Sequence, residues 1–182
     1  MRRIVLLVLA LLPLLVVTAW LGYRAGHRRE SPAGVRATLA RRLGPRLPTA
    51  ASCGAVQRSP LDRYDQKTIY AWVDGGAEAY LKRGFIASAV ATYELESAAG
   101  RVEIEGAAVR FASRQGAAEH EAAERPQDAR PAPGVPGAAE DGTSLVVRRG
   151  RDVLQLVSFT PEVEARDLLA QVARAWVQEE GR

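Results

Sequence analysis

Residues 4–21 form an unbroken apolar run with no charged side chain, set between Arg2 and Arg3 on one side and Arg24, Arg28 and Arg29 on the other. As a helix this run reaches about 27 Å, close to the thickness of a bilayer core. Two readings fit it. One is an uncleaved membrane anchor kinked at Pro13; the other is a signal peptide, because Val17-Thr18-Ala19 satisfies the small-residue rule for cleavage. The arginines that follow disfavour export of a cleaved product, so an anchor is expected. From residue 64 the pattern changes. Ile69, Trp72, Val73, Tyr80 and Leu81 recur at helical spacings on both sides of Gly75-Gly76, which predicts a helix, a glycine-permitted break and a short second helix closed by Gly84.

Period-two alternation begins at Phe85. Phe85, Ala87, Ala89, Ala91, Tyr93 and Leu95 share one face of a strand, and residues 101–111 make a second. The intervening residues 97–100 fit a hairpin loop that pairs Glu96 with Arg101, Glu94 with Glu103 and Thr92 with Glu105. A helix follows from a Ser113 cap to Glu124, ended by Pro126, with His120 placed on its solvated polar face. Residues 125–142, with four Pro and three Gly, predict an exposed loop. Residues 145–148 and 153–159 read as strands joined by Arg149-Gly150-Arg151. Thr160-Pro161-Glu162 then starts a last helix whose stripe is Ala165, Leu168, Leu169, Val172 and Trp176. The organisation is a hydrophobic helix over residues 1–21, a basic Pro/Gly/Ala-rich linker over 22–63, and one α+β domain over 64–182. That domain is expected to hold a mainly antiparallel sheet of about four or more strands packed by helices.

The densest stretch runs from Tyr64 through Ile69-Tyr70, Val73-Asp74-Gly75-Gly76-Ala77-Glu78 and Tyr80-Leu81 to Gly84-Phe85. It resembles the signature of an uncharacterised bacterial domain family of unknown function, and the likeness continues more loosely to about residue 179. The resemblance implies an envelope-associated α+β domain and no activity. One departure is Arg83, which stands where related sequences tend to keep an aromatic.

Charge divides the chain. Residues 1–60 carry ten Arg against the single acid Glu30, which leaves 15 basic and 20 acidic residues in 61–182, a balance of −5. An acidic domain argues against a nucleic-acid face there. The basic tether suits either anionic lipid head groups or plain solvation. The positive-inside count taken alone leaves the domain in the cytoplasm, whereas the signal-like start and the family resemblance favour the extracytoplasmic side, which is the expectation adopted. Cys53 lacks a preceding lipobox and, as a lone Cys, makes no intrachain disulfide.

No phosphate-binding Gly-rich loop, Cys-x-x-Cys, His-Glu-x-x-His or Gly-x-Ser-x-Gly occurs. No cofactor or metal is expected, and no catalytic residue is assigned. Two acidic groupings remain. If the helix runs through the Gly pair, Asp74 and Glu78, four apart, share a face beside Tyr70 and Tyr80, and these four are the candidate binding residues. A structural alternative has Asp74 bonding the amides of the glycine turn and Glu78 pairing with Lys82. Gly75, Gly76, Trp72, Leu81 and Gly84 are the structural motif, with Trp72 and Leu81 as core anchors. Glu94, Glu103 and Glu105 form an acidic sheet edge whose ligand number is small for a hard-cation cage.

Three functions fit this pattern. The first is a membrane-tethered, non-catalytic binding or accessory module of the cell envelope, whose partner is an envelope protein or small ligand. A hydrolase using Asp74 or Glu78 and a purely structural interaction protein are the alternatives.

Overall fold

The computed structural model describes residues 44–160 and 165–179. The expected anchor, the linker up to residue 43 and the Pro161-Glu162 start of the last helix lie outside the described residues. No described helix is long and apolar enough to cross a membrane.

The long strands are β3, Phe85–Ser97, and β4, Gly100–Phe111. They pair antiparallel with Thr92 opposite Glu105, Glu94 opposite Glu103 and Glu96 opposite Arg101, the register expected from the alternation. The turn is tighter than a four-residue loop, because Ser97 and Gly100 already pair, with Gly100 at φ 123°. Short strands β1, Gln57–Arg58, and β2, Asp62–Asp65, pair with β3 on its other side. Beyond β4 come β8, Asp152–Ser158, then β7, Ser144–Arg149, β6, Ala139–Glu140, and β5, Arg130–Pro131. The result is one antiparallel sheet of eight strands.

Four described helices cover it: α1, Ala50–Cys53, α2, Ala77–Lys82, α3, Arg114–Glu124, and α4, Arg166–Glu179. Alternation sends side chains to two cores. Tyr93, Leu95, Val102, Ile104, Leu154 and Leu156 face α4, whose Leu169, Val172 and Trp176 are buried against them. Val109, Phe111, Val146 and Val153 face the other way, towards Ile69, Ala77, Tyr80 and Ala117. The Ala and Gly positions in the hairpin let large groups approach. A methyl on Gly106 would lie 3.0 Å from the Tyr93 ring and 3.2 Å from Leu156.

Three expectations need correction. Residues 44–63 are not linker: Leu47 and Cys53 are buried in the core with Trp176. Polar groups hold this segment as well. The Tyr93 hydroxyl donates to the Pro48 carbonyl at 2.9 Å, the Trp176 indole to Arg46 at 2.9 Å and the Gln171 amide to Cys53 at 2.6 Å. Residues 125–142 are not simply an exposed loop, because Ala132, Val135 and Ala138 are buried and two short strands form there. Glu140 anchors the loop from within, fully buried, with Arg166 at 2.9 Å and the Gly142 amide donating to it at 2.7 Å. Finally, the helix expected before Gly75 is only a 3₁₀ turn, Ile69–Ala71. The Asp65 carboxylate accepts the amides of Lys67 and Thr68 and the Thr68 hydroxyl, a local alternative to helical bonding. Gly75 at φ 69° then reverses the chain into α2, and Gly84 at φ 83° ends that helix.

Ser113 caps α3 as expected, accepting the Gly116 amide at 3.0 Å. Gly116 is required for a different reason, since a Cβ there would lie 2.0 Å from the Arg83 carbonyl oxygen. Gly116→Ala should therefore lift α3 from the end of α2 and destabilise the fold by about 1–3 kcal/mol in urea unfolding. Gly75→Ala meets no neighbour within 4 Å and should cost only about 1 kcal/mol of backbone strain. A Gly116→Ala loss no larger than that of Gly75→Ala would show that the close approach does not constrain the fold.

Candidate functional site

The second face of the sheet is covered only in part. Helix α3 and the signature stretch sit over Val109, Phe111, Val146 and Val153. Further along the strands, Glu103 and Glu105 of β4 and Val157 of β8 lie on the same face, with Glu105 paired directly opposite Val157. Where cover gives way to open sheet, a cleft of about 330 Å³ opens. Trp72, Val73, Asp74 and Tyr80 form one wall, and Glu105, Ala107, Gln155 and Val157 form the floor.

Aromatic contacts build the wall. Tyr64 of β2 stacks on Trp72 with ring centres 5.8 Å apart, and Trp72 meets the Tyr80 ring edge-on at 5.7 Å. Tyr80 in turn touches Phe85 at 6.1 Å and His120 at 4.4 Å. Such pairs add about 0.5–1.5 kcal/mol each beyond burial. Tyr80, 8% exposed, is thus the hub of the wall, while Trp72 and Leu81, expected as core anchors, are half-buried and pack on the second core from its rim. The fully buried anchors of the stretch are Ile69, Ala77 and Phe85.

His120 corrects another expectation. It is buried between Tyr80 and Phe111, not solvated, because the helix face that carries it is otherwise Ala and Gly and leaves room for the ring. Burial, with the Arg83 guanidinium 3.4 Å from Nδ1, pushes its pKa down to about 4. Arg83 acts as donor, so Nδ1 accepts and the neutral ring keeps its proton on Nε2. Gln155 lies against both this imidazole and the Tyr80 hydroxyl. Burial and the nearby Glu124 push the Tyr80 phenol up to about 12. Arg83, the position at which an aromatic was expected, thus contacts the imidazole instead.

Of the four residues expected to bind, the structure brings Asp74 and Tyr80 to the cleft. Tyr70 and Glu78 are brought to each other instead. The exposed Tyr70 hydroxyl donates to Glu78 Oε1 at 2.6 Å, which raises the Tyr70 pKa, and neither residue lines the cleft. Glu78 does not pair with Lys82 and Asp74 does not bond the glycine turn, so the structural alternative fails in detail while its local character for Glu78 stands. Glu105 is the residue that sequence reasoning set aside. It is half-buried, burial alone raises its carboxyl pKa, and among the described residues it has no hydrogen-bond or ion-pair partner.

Chemically the cleft offers two carboxylates, a carboxamide and an aromatic wall. Its walls hold no serine, threonine, cysteine or lysine, and the Tyr80 phenol keeps its proton through the neutral range. No group of three or more His, Cys, Asp or Glu able to hold a metal ion occurs among the described residues, and Glu94 is turned to Arg101 at 3.5 Å. Cys53 is buried with its thiol pKa raised by burial, which makes it inert.

No protein family matches the chain in sequence, and no curated protein does. Among solved structures, the extracellular domain of PknH from Mycobacterium tuberculosis is similar at 11% identity, over 72% of this chain and 89% of that one, with a TM-score of 0.47. At that level no residue role or activity is carried across.

The buried imidazole gives the fold a pH dependence whose sign is fixed. An unfolded chain takes up a proton near pH 6.5, and the folded one resists it down to about 4. Stability is therefore full above about pH 6.5 and falls as pH drops through that window, by about 3 kcal/mol in all. His120→Phe keeps the ring volume and should flatten this dependence in urea midpoints taken between about pH 4 and 7. An unchanged slope would mean that His120 is not the group responsible.

Proposed function

We propose that this chain is a non-catalytic binding module of the cell envelope, and that the open half of the second sheet face is its recognition surface. One observation carries this reading. A cleft with an unpaired, half-buried carboxylate borders a sheet face on which Val157 is 41% and Phe159 58% exposed. An apolar strip of this kind, rimmed by acids, is the usual mark of an interaction site. The rim comprises Asp62, Asp74, Glu94, Glu103 and Glu105, with Arg101 as the basic residue among them. Catalysis gains no comparable support, since Asp74 lines the cleft while Glu78 is bonded to Tyr70 outside it.

The envelope setting comes from the sequence. Residues 4–21 hold the chain to a membrane, and the domain stands on the extracytoplasmic side with its basic tether between. Reporters fused after Arg182 that are active only in the cytoplasm or only outside it should give the outside signal alone. A cytoplasmic signal alone would overturn the placement, and release by a carbonate wash would overturn the anchor.

For the recognition surface, a photo-cross-linking amino acid placed at Phe159 of the full chain in native membranes should give a discrete adduct. The same group at Arg151, exposed on the β7–β8 turn at the opposite end of β8, should not. Absence of an adduct specific to Phe159 would remove this surface as the site of recognition.

A further inference from the structure

We infer that the cleft binds an organic cation, an ammonium or guanidinium on a short apolar stem, seated between Glu105 and Asp74 and against Trp72. The inference rests on the recognition surface proposed above and names what that surface selects. Volume sets the first limit. At about 330 Å³ the cleft lies at the low end of ligand pockets, which span about 300–1,000 Å³, so it accepts a group the size of one long side chain.

Charge sets the second. Glu105 is half withdrawn from water yet has no bonded partner, and the two basic residues of its own strand are directed elsewhere, Arg101 to Glu94 at 3.5 Å and Arg110 to Asp152 at 2.6 Å. Partial desolvation of a carboxylate is unfavourable unless a counter-charge restores what water gave. Asp74 brings a second negative charge to the opposite wall, so an anionic or neutral polar ligand would leave both carboxylates uncompensated. The apolar components point the same way. Trp72 and Val157 flank the acids and would cover a hydrocarbon stem, while the electron-rich indole favours a cationic head over a neutral one.

Two sources can present this chemistry: a free amine, or a Lys or Arg side chain of a partner protein. Calorimetric titration of the full chain in detergent micelles with tyramine tests the chemistry, with tyrosol as its neutral counterpart and acetyl-Ala-Arg-Ala-amide as the peptide. Tyramine or the peptide should bind saturably and tyrosol should not. Glu105→Gln, which preserves shape, should weaken binding at least tenfold while leaving the melting temperature unchanged or higher. Asp74→Asn, on an exposed turn, should weaken it severalfold and gives a second reading should Glu105→Gln unfold. Tighter binding of the peptide identifies a partner side chain, and tighter binding of tyramine a free amine; either supports the inference. Equal affinity for tyrosol, undiminished binding in both variants, or no binding of either cation overturns it. If cation binding fails while the Phe159 adduct persists, the ligand class alone is wrong; if the adduct fails while tyramine binds, the recognition surface for a macromolecule is wrong.

Discussion

Everything in the domain hangs on the β3–β4 ladder, the longest continuous pairing in the sheet. Because its two strands project side chains alternately, the hairpin supplies the floor of both cores at once. The small residues along it decide how near the covering layers come. On one side Tyr93 lies over Gly106 and ties down the segment around Pro48; on the other, Phe85 and Phe111 receive Tyr80 and His120. Neither helical layer touches the whole ladder, and the uncovered remainder is where the cleft forms.

Tyr80 couples scaffold to site. Its ring is held by Trp72, Phe85 and His120, and its edge is part of the cleft wall. The buried imidazole behind it is a polar group in an apolar place, kept neutral by burial and by Arg83. A change in packing at α3 would therefore reach Tyr80, the residue that shapes the cleft, through the single ring contact that His120 makes with it.

The hairpin register was legible because period-two alternation and a short loop leave few other pairings. The apolar stripe of α4 was legible for the same kind of reason, with Leu169, Val172 and Trp176 buried as the spacing implies. What stayed hidden depended on distant partners. Nothing local marks Leu47 and Cys53 as core residues, since their neighbours in space are Tyr93 and Trp176. His120 sat in an Ala-rich helix with no strong apolar face, so its buried side could not be distinguished from its exposed one. The α-helix expected at Ile69 lost to the Asp65 turn, a competition of hydrogen bonds that residue spacing does not register. Of the residues that line the cleft, Asp74 and Tyr80 stood out through the density of their stretch, whereas Glu105 did not, because its place in the lining arises from the pairing that sets it opposite Val157.

The two ends of the sheet have a bearing on how such a domain behaves when crowded. One outer edge is β5, two residues long and including Pro131, which has no amide hydrogen to offer; along the other, β1 is equally short and β2 runs for only four residues. Among the described residues, neither of these end strands presents a long stretch of free backbone, so a second sheet finds little there on which to grow. Exposed apolar side chains such as Val157 can thereby stand on the broad face without a long strand edge beside them to recruit main chain.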